Sequence, residues 1–328
     1  MDLLVDQRAD VEAHLLRLGW IAADEPLLDL AKAGEGNMNR TLRARLPGRT
    51  LILKQAVPFV AKYPDIPAPV DRLDAEAAFY RAIAGHAALR RHTPELLGED
   101  PAEHLLCIED LGEAADLTRW YADGPRAGDG ALLDTLVDWL GTLHGLDASA
   151  IGFPANLDMR RLNHTHIFEV PFDPANGVPL SGALGSQQAR LARDGELLKA
   201  AAELGGRYLA QPGDCAVLLH GDFYPGSWLE QADGRVAVID PEFGFVGPPE
   251  FDVGVLRAHL TFAGFKEDAI DAHLDRYRAP AGFDPAQARA FAGIEIIRRL
   301  LGVAQLPLAA DDETRARWIT EARRMVLS

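Results

Sequence analysis

The feature that most narrows the fold is a change of period along the chain. Before about residue 110 the apolar residues come in strand-length runs; beyond it they come mostly in helix-length patterns. Strands are predicted at 26–33, 41–46, 50–57, 95–98 and 104–108, with Pro47-Gly48 as a hairpin turn and helices at 5–18 and 71–84. Helical patterns then cover 131–145, 187–210, 251–262, 283–306 and 311–326, interrupted by short strands at 216–220 and 235–240. Such a chain is an α+β protein of two lobes, a sheet-rich N-terminal one over 1–110 and a larger, mostly helical one over 111–328, with a cleft between them. The stretch 159–184, with Pro171, Pro174 and Pro179, reads as irregular structure on the substrate side.

The composition allows a core of that size: of 328 residues, 48% are hydrophobic and 25% charged. Asp and Glu outnumber Lys and Arg by 49 to 33, a formal charge of −16. Holding nucleic-acid phosphates or an anionic membrane surface needs the opposite sign, so neither partner is expected. No apolar stretch approaches the about 18 residues of a membrane span, and the opening segment is charged too early and too often for a secretion signal. Cys107 and Cys215 have no CxxC neighbour, which argues against a disulfide scaffold and a thiolate zinc site. The expectation is a soluble cytoplasmic enzyme; a homodimer is compatible with the sequence.

The chemistry is concentrated in two apolar runs that each end in a carboxylate, Leu218-Leu219-His220-Gly221-Asp222 and Val236-Ala237-Val238-Ile239-Asp240. An acid just past a buried strand is held at the rim of the core, facing a cleft. The two acids stand 18 residues apart with Asp233-Gly234 as a turn between them, which suggests adjacent strands aimed at one site. Phosphoryl transfer needs such a pair. One Asp, here Asp222, positions the acceptor hydroxyl and takes its proton; a second acidic site, Asp240 with Glu242, holds the magnesium that bridges the nucleotide phosphates. Pro241 between those two stops a regular strand and could turn both side chains into the cleft. Ser227, five residues after Asp222, stands where a kinase catalytic loop carries Asn, and a weaker metal contact is expected of it. A plain hairpin with Asp turn formers does not need two acids, each ending an apolar run.

The N-terminal part supplies a second constellation. Alternation puts Lys54 on the sheet face of Ile52 and Ala56, and the helical arc Leu73, Ala77, Tyr80, Ile83 takes in Glu76. An inward lysine and an inward glutamate each need a partner, and a Lys–Glu pair holds the lysine against nucleotide phosphates. A snorkelling lysine beside an edge glutamate is the plainer alternative. The segment Gly34-Glu35-Gly36-Asn37-Met38-Asn39 joins two predicted strands where a phosphate-covering loop belongs, although a tight turn explains it as well. The following linker, Glu109, Asp110 and Leu111, is expected to offer backbone groups to adenine. No GxxxxGK[ST], GxSxG or HExxH motif occurs. His164 and His166 lack further metal ligands and read as ordinary polar residues. His144, at a helix end, reads as a cap or packing residue.

These segments together resemble the aminoglycoside phosphotransferase and choline kinase superfamily, small-molecule kinases related to protein kinases, and within it most resemble the methylthioribose kinases. The resemblance is carried by His220-Gly221-Asp222 as catalytic motif, Ile239-Asp240 as metal motif, the segments 34–39, 51–58, 220–227 and 239–248, Asp71-Arg72 leading to Glu76, Phe251-Asp252, and Ile297-Arg298-Arg299. It implies a two-lobed protein-kinase-like fold, use of ATP and Mg2+, and a small hydroxylated acceptor, with a methylthioribose-like sugar first among candidates. It also implies acceptor contacts for Asp222, for Phe223 beside it, and for Arg298 and Arg299. Helical periodicity alone would leave those arginines on a solvated polar face with Glu295, Gly302 and Gln305. Three departures touch the acceptor side. Phe223-Tyr224-Pro225 replaces the superfamily's Leu-His-Thr or Leu-His-Pro; Ser227 replaces its Asn, a change that the methylthioribose branch shares; and the chain is shorter than typical members of that branch. A kinase of another alcohol (an amino alcohol, a ketoamine sugar or an aminoglycoside) is the second reading. A nucleotide-binding pseudokinase is the third, and it would have lost Asp222, Lys54 or Asp240, all of which are present.

Overall fold

Alternating apolar residues in the first third of the chain build one sheet. The computed structural model describes residues 2–34, 38–213 and 215–328; Gly36 and Asn37 of the expected nucleotide loop lie outside the described residues. Helix α1 (Arg8–Leu18) leads into β1 (Asp29–Lys32), β2 (Arg40–Leu46) and β3 (Arg49–Gln55), then the small hairpin β4 (Phe59–Val60) and β5 (Tyr63–Pro67), helices α2 (Arg72–Ile83) and α3 (Ala87–Arg90), and strands β6 (Leu96–Asp100) and β7 (Leu105–Glu109). Five of these strands form an antiparallel sheet in the order β1-β2-β3-β7-β6. Its two faces differ. Leu42, Ala44, Leu51, Leu53 and Cys107 pack against Val11 and Leu15 of α1, whereas Leu106 and Ala56 pack against Leu73 and Ala77 of α2. Lys54 is in register with Leu106, so period two carries it to the α2 face.

The rest is mainly helical. In chain order it holds β8 (Ala114–Asp116), α4 (Trp120–Asp123), α5 (Asp129–Leu143), α6 (Ala148–Ile151), α7 (Leu157–His164), α8 (Gly182–Leu191), α9 (Gly195–Leu209), β9 (Val217–Leu219), β10 (Trp228–Gln231), β11 (Val236–Val238) and β12 (Phe245–Gly247). Four helices end it: α10 (Glu250–Phe262), α11 (Glu267–Leu274), α12 (Pro285–Leu301) and α13 (Asp312–Leu327). At its centre α12 is buried on every side from Ala290 to Leu301, which takes close neighbours. At Gly254 of α10 a Cβ would stand 2.6 Å from that of Phe291, so only glycine lets α10 cross α12 this closely. Among the described residues no helix is long and apolar enough to cross a membrane.

Three expectations need correction. The region 159–184 is not irregular throughout: α7 continues into a π-helical turn (Thr165–Glu169) and a 3-10 turn (Val170–Phe172), because Met159, Ile167, Phe168 and Phe172 are buried and the chain breaks only after them. The helical pattern 187–210 is two helices, divided where Asp194 caps α9 by accepting from the Leu197 N–H. The strands before Asp222 and Asp240 are not adjacent. β9 pairs with β12, and β11 pairs with β10 across the Asp233-Gly234 turn. The unexpected strand β10 arises because the turn at Pro225–Ser227 restarts the chain at Trp228, which is fully buried.

Candidate active site

Asp222 sits on a short loop that the helical part fixes from beneath. Asp252, in the first turn of α10 and fully buried, accepts from the His220 N–H (2.7 Å) and the Gly221 N–H (3.0 Å), with His144 Nε2 3.3 Å away. Gly221 has φ +84°, and a Cβ there would meet the Phe243 carbonyl oxygen at 2.1 Å, so the turn requires glycine. Burial pushes the His220 imidazole below its usual range; as a neutral ring it donates from Nε2 to the Ile239 carbonyl (2.9 Å). That bond joins the two acid-bearing segments, and the Ile239 N–H donates to the Ser227 carbonyl (2.9 Å). The Ser227 hydroxyl is buried and donates to the Asp222 carbonyl (2.9 Å). Burial raises the Asp222 carboxyl, while Arg299 and Arg298 work against that rise.

The segment after β11 carries the other acids. Asp240 adopts a left-handed conformation (φ +62°), uncommon outside glycine, which turns its half-exposed carboxylate to Lys54 Nζ at 2.5 Å. Lys54 also donates to both oxygens of Glu76 on α2, at 2.7 and 2.8 Å, so the inward lysine and the inward glutamate meet. Burial pulls the Lys54 ammonium down, but Asp240, Glu76 and Glu242 more than offset it and hold it above the usual lysine range. Glu242 accepts from Asn39 Nδ2 (2.8 Å) and lies 3.5 Å from Arg72 Nε. Burial, reinforced by Glu76 and Asp240, pushes its carboxyl up to about 8, against Lys54 and Arg72. Glu76, Asp240 and Glu242 thus face one ammonium and one guanidinium. Asp240 and Glu242 offer only oxygen donors, the kind a hard divalent cation such as Mg2+ takes, and a cation beside them would counter the burial and like charges that raise Glu242.

On α12, Arg298 and Arg299 are not on a solvated face. Both are buried, because Glu295 one turn earlier supplies their counter-charge: it accepts from Arg298 Nη1 (3.0 Å), Arg299 Nε (2.6 Å) and His259 Nε2 (3.1 Å). Burial alone would raise Glu295, yet the two arginines hold it well below the usual carboxylate range. Arg299 Nη2 reaches Asp222 Oδ1 at 3.2 Å, its guanidinium lies 4.8 Å above the Tyr224 ring, and Arg298 Nη2 donates to Asn163 of α7 (3.3 Å). Phe223, expected at the acceptor pocket, turns the other way. It is fully buried and stacks on Trp139 with the rings 3° from parallel and 5.6 Å apart, so the neighbouring Tyr224 faces Arg299 instead.

The linker also differs in detail from expectation. The Asp110 side chain is a brace, bound by Arg43 Nε (2.6 Å) and Nη2 (2.9 Å), and the Glu109 N–H is taken by the Glu95 carbonyl (2.8 Å). Gly34 stands at the loop start with φ +73°. His144 caps α5 and packs as expected, donating or accepting at Tyr277 (2.6 Å). Glu295, His259 and Asn163 are not site candidates on the sequence; Asp252 and Arg72 entered only within motif segments, and Tyr224 only as one of the departures beside the acceptor pocket. For Glu295 a usable signal exists, an acid three and four residues before two arginines on one helix.

A model of the phosphotransferase enzyme family matches residues 29–291. The methylthioribose kinase of Exiguobacterium sibiricum is 29% identical over 269 residues, covering 79% of this chain and 67% of that one. The methylthioribose kinase of Yersinia enterocolitica is 28% identical, covering 94% and 89%. The solved structure of choline kinase LicA from Streptococcus pneumoniae, 14% identical, superposes with a TM-score of 0.56 over 98% of this chain and 99% of its own, a likeness of the two-lobed protein-kinase-like fold. With the His-Gly-Asp loop, the Lys–Glu pair and the second acidic segment converging on one cleft, the chain belongs to the phosphotransferase enzyme family and is a small-molecule kinase.

Proposed function

We propose that the chain moves the γ-phosphoryl group of ATP to a hydroxyl of a neutral, methylthioribose-like sugar. The observation that carries the acceptor class is the charge beside Asp222. Arg298 and Arg299 are buried there, and the carboxylate next to them, Glu295, is already bound to both. A cationic amino alcohol or aminoglycoside would have to enter against these guanidinium groups, whereas sugar hydroxyls accept hydrogen bonds from them. The methylthioribose kinases among the relatives point the same way.

In this reading Asp222 takes the acceptor's hydroxyl proton as that oxygen attacks the γ-phosphorus. The new O–P bond forms, the bond from phosphorus to the bridging oxygen breaks, and ADP leaves with that electron pair. Arg299, 3.2 Å from Asp222, faces the charge spread over the phosphoryl oxygens. Lys54 is held by Glu76 where the phosphates must pass, the glycine-bearing segment that opens at Gly34 is the candidate phosphate loop, and adenine takes backbone groups of Asp110 and Leu111. Asp240 and Glu242, with the Ser227 hydroxyl a weaker partner, would hold Mg2+, which when bound offsets the phosphate charge.

Initial rates with ATP across methylthioribose, ribose, choline and an aminoglycoside test the reading. The neutral sugars are expected to lead in kcat/KM by about tenfold or more, equivalent to about 1.4 kcal/mol of transition-state stabilisation. A cationic acceptor in first place would overturn it.

A further inference from the structure

Arg72 and Asn39 take no part in the mechanism above, yet they are among the most buried polar residues of the molecule. Arg72 is fully buried at the start of α2. It donates from Nε to Asn39 Oδ1 (2.9 Å), from Nη1 to the Val57 (3.0 Å) and Pro69 (2.5 Å) carbonyls, and from Nη2 to the Met38 carbonyl (2.9 Å). It therefore ties the end of the 34–39 segment to both ends of the connection between β3 and α2. Asn39 then crosses the cleft: its Nδ2 donates to Glu242 Oε2 (2.8 Å), 203 residues away in sequence. The amide is fixed from both sides, its oxygen on a guanidinium and its nitrogen on a carboxylate. Only a side chain with an acceptor and a donor at that spacing satisfies both. On the far side, Asn156 Nδ2 donates to the Glu242 (2.9 Å) and Gly244 (2.9 Å) carbonyls and holds the backbone that carries Glu242.

We infer that Asn39, oriented by Arg72, is an interlobe latch that makes nucleotide and divalent-cation binding cooperative. Met38 and Asn39 cannot shift without disturbing the bond to Glu242 Oε2, and Glu242 cannot swing toward a cation without pulling on Asn39. Both residues are positioning residues in this role. Asn39 was expected among the nucleotide contacts; the latch gives its side chain to the carboxylate instead. The inference rests on the proposed ATP and Mg2+ site.

The test is isothermal titration of ADP into the full-length protein, with Mg2+ and with EDTA, for the wild type, Asn39→Ala and Asn39→Ser. Thermal unfolding checks the fold, and the milder Ser variant serves if Ala does not fold. In the wild type Mg2+ is expected to tighten ADP. In the variants that tightening is expected to fall by about tenfold, the low end of what a hydrogen bond to a buried charge contributes, with affinity in EDTA unchanged. Equal tightening in wild type and variants overturns the latch. So does equal weakening with and without Mg2+, which marks Asn39 as a direct nucleotide contact. Failure of Mg2+ to tighten ADP in the wild type overturns the site assignment itself, and the latch with it.

Discussion

Replacing Glu295 by Gln keeps the shape of the side chain and removes the charge that two arginines and a histidine converge on. Glu295 accepts at 2.6 Å from Arg299, 3.0 Å from Arg298 and 3.1 Å from His259. A Gln amide turns its NH2 toward at least one of these donors and leaves two buried guanidinium groups short of a counter-charge. Removing one member of a buried ion pair costs about 3–5 kcal/mol, and Asp222, 3.2 Å from Arg299, can recover part of that. About 3 kcal/mol is the working figure. At about 2.1 cal/mol/K of unfolding entropy per residue, a chain of this length loses about 4 °C in Tm. The kinetic effect is larger. Once released from Glu295, Arg299 can turn its fork onto Asp222 and occupy the base. Misplacement on this scale lowers kcat with the best acceptor by about 100-fold. ADP affinity, which the proposed reading gives to Lys54 and Asp240 across the cleft, is expected to change by less than about threefold. Differential scanning fluorimetry, steady-state kinetics and ADP titration on one preparation read all three. Wild-type Tm and kcat together, or a loss of ADP affinity as large as the loss of kcat, would refute the reasoning.

Asp222→Asn is expected to lower kcat by about 1,000-fold while ADP binding holds, because it removes the proton acceptor alone; rates and titration check it. Phe223→Ala is expected to cost about 3–5 kcal/mol of stability in chemical denaturation, since the ring fills the core. Tyr224→Leu, by contrast, should leave stability nearly unchanged and raise the acceptor KM. Acid sensitivity follows from His259, which burial lowers to about 4 from an ordinary 6.5. Between those values the unfolded chain binds the extra proton, so stability rises with pH across that window and is lost as pH falls through it, by about 3 kcal/mol at most. A Tm profile from pH 7 to 4 should be visibly flatter in His259→Gln, and superimposable profiles would remove His259 as the cause.

Much of the nucleotide side was legible because its residues break a pattern. Lys54 interrupts an apolar sheet face and Glu76 an apolar helical arc, and each such break demands a partner; they meet at 2.7 Å. Asp222 and Asp240 stood out as acids ending apolar runs. Strand pairing was only half legible: the Asp233-Gly234 turn does join a hairpin, but its first strand is β10, while three-residue β9 pairs with β12, a partner that no turn spacing announces. The acceptor side was misread for a related reason. Periodicity on α12 correctly separates the apolar half from Glu295, Arg298 and Arg299, but it does not say what covers the polar half. Three charged groups that satisfy one another can be buried as a set. Phe223 and Tyr224 show the limit at single-residue scale: neighbouring aromatic residues on one loop face opposite ways, and only Trp139 and Arg299, each distant in sequence, decide which faces the core.

The two acids of the site are held by different means, and this bears on how the reaction is ordered. Asp222 depends on the helical part alone: Asp252 holds its loop, Ser227 its carbonyl and Arg299 its carboxylate. Asp240 and Glu242 instead meet Lys54 and Asn39, which belong to the N-terminal sheet and the segment beside it. Opening of the cleft would break the second set and leave the first intact. On the proposed reading, the base and its arginines are prepared before the lobes meet, whereas the groups assigned to phosphate and cation are assembled by the meeting itself. Under that proposal, phosphoryl transfer is confined to the closed state without requiring the side that carries Arg298 and Arg299 to rearrange. The arrangement also separates two kinds of substitution. Changes around Tyr224 and Asn163 act beside Arg298 and Arg299 without reaching the interlobe bonds, whereas changes at Arg72 or Asn39 act on those bonds directly.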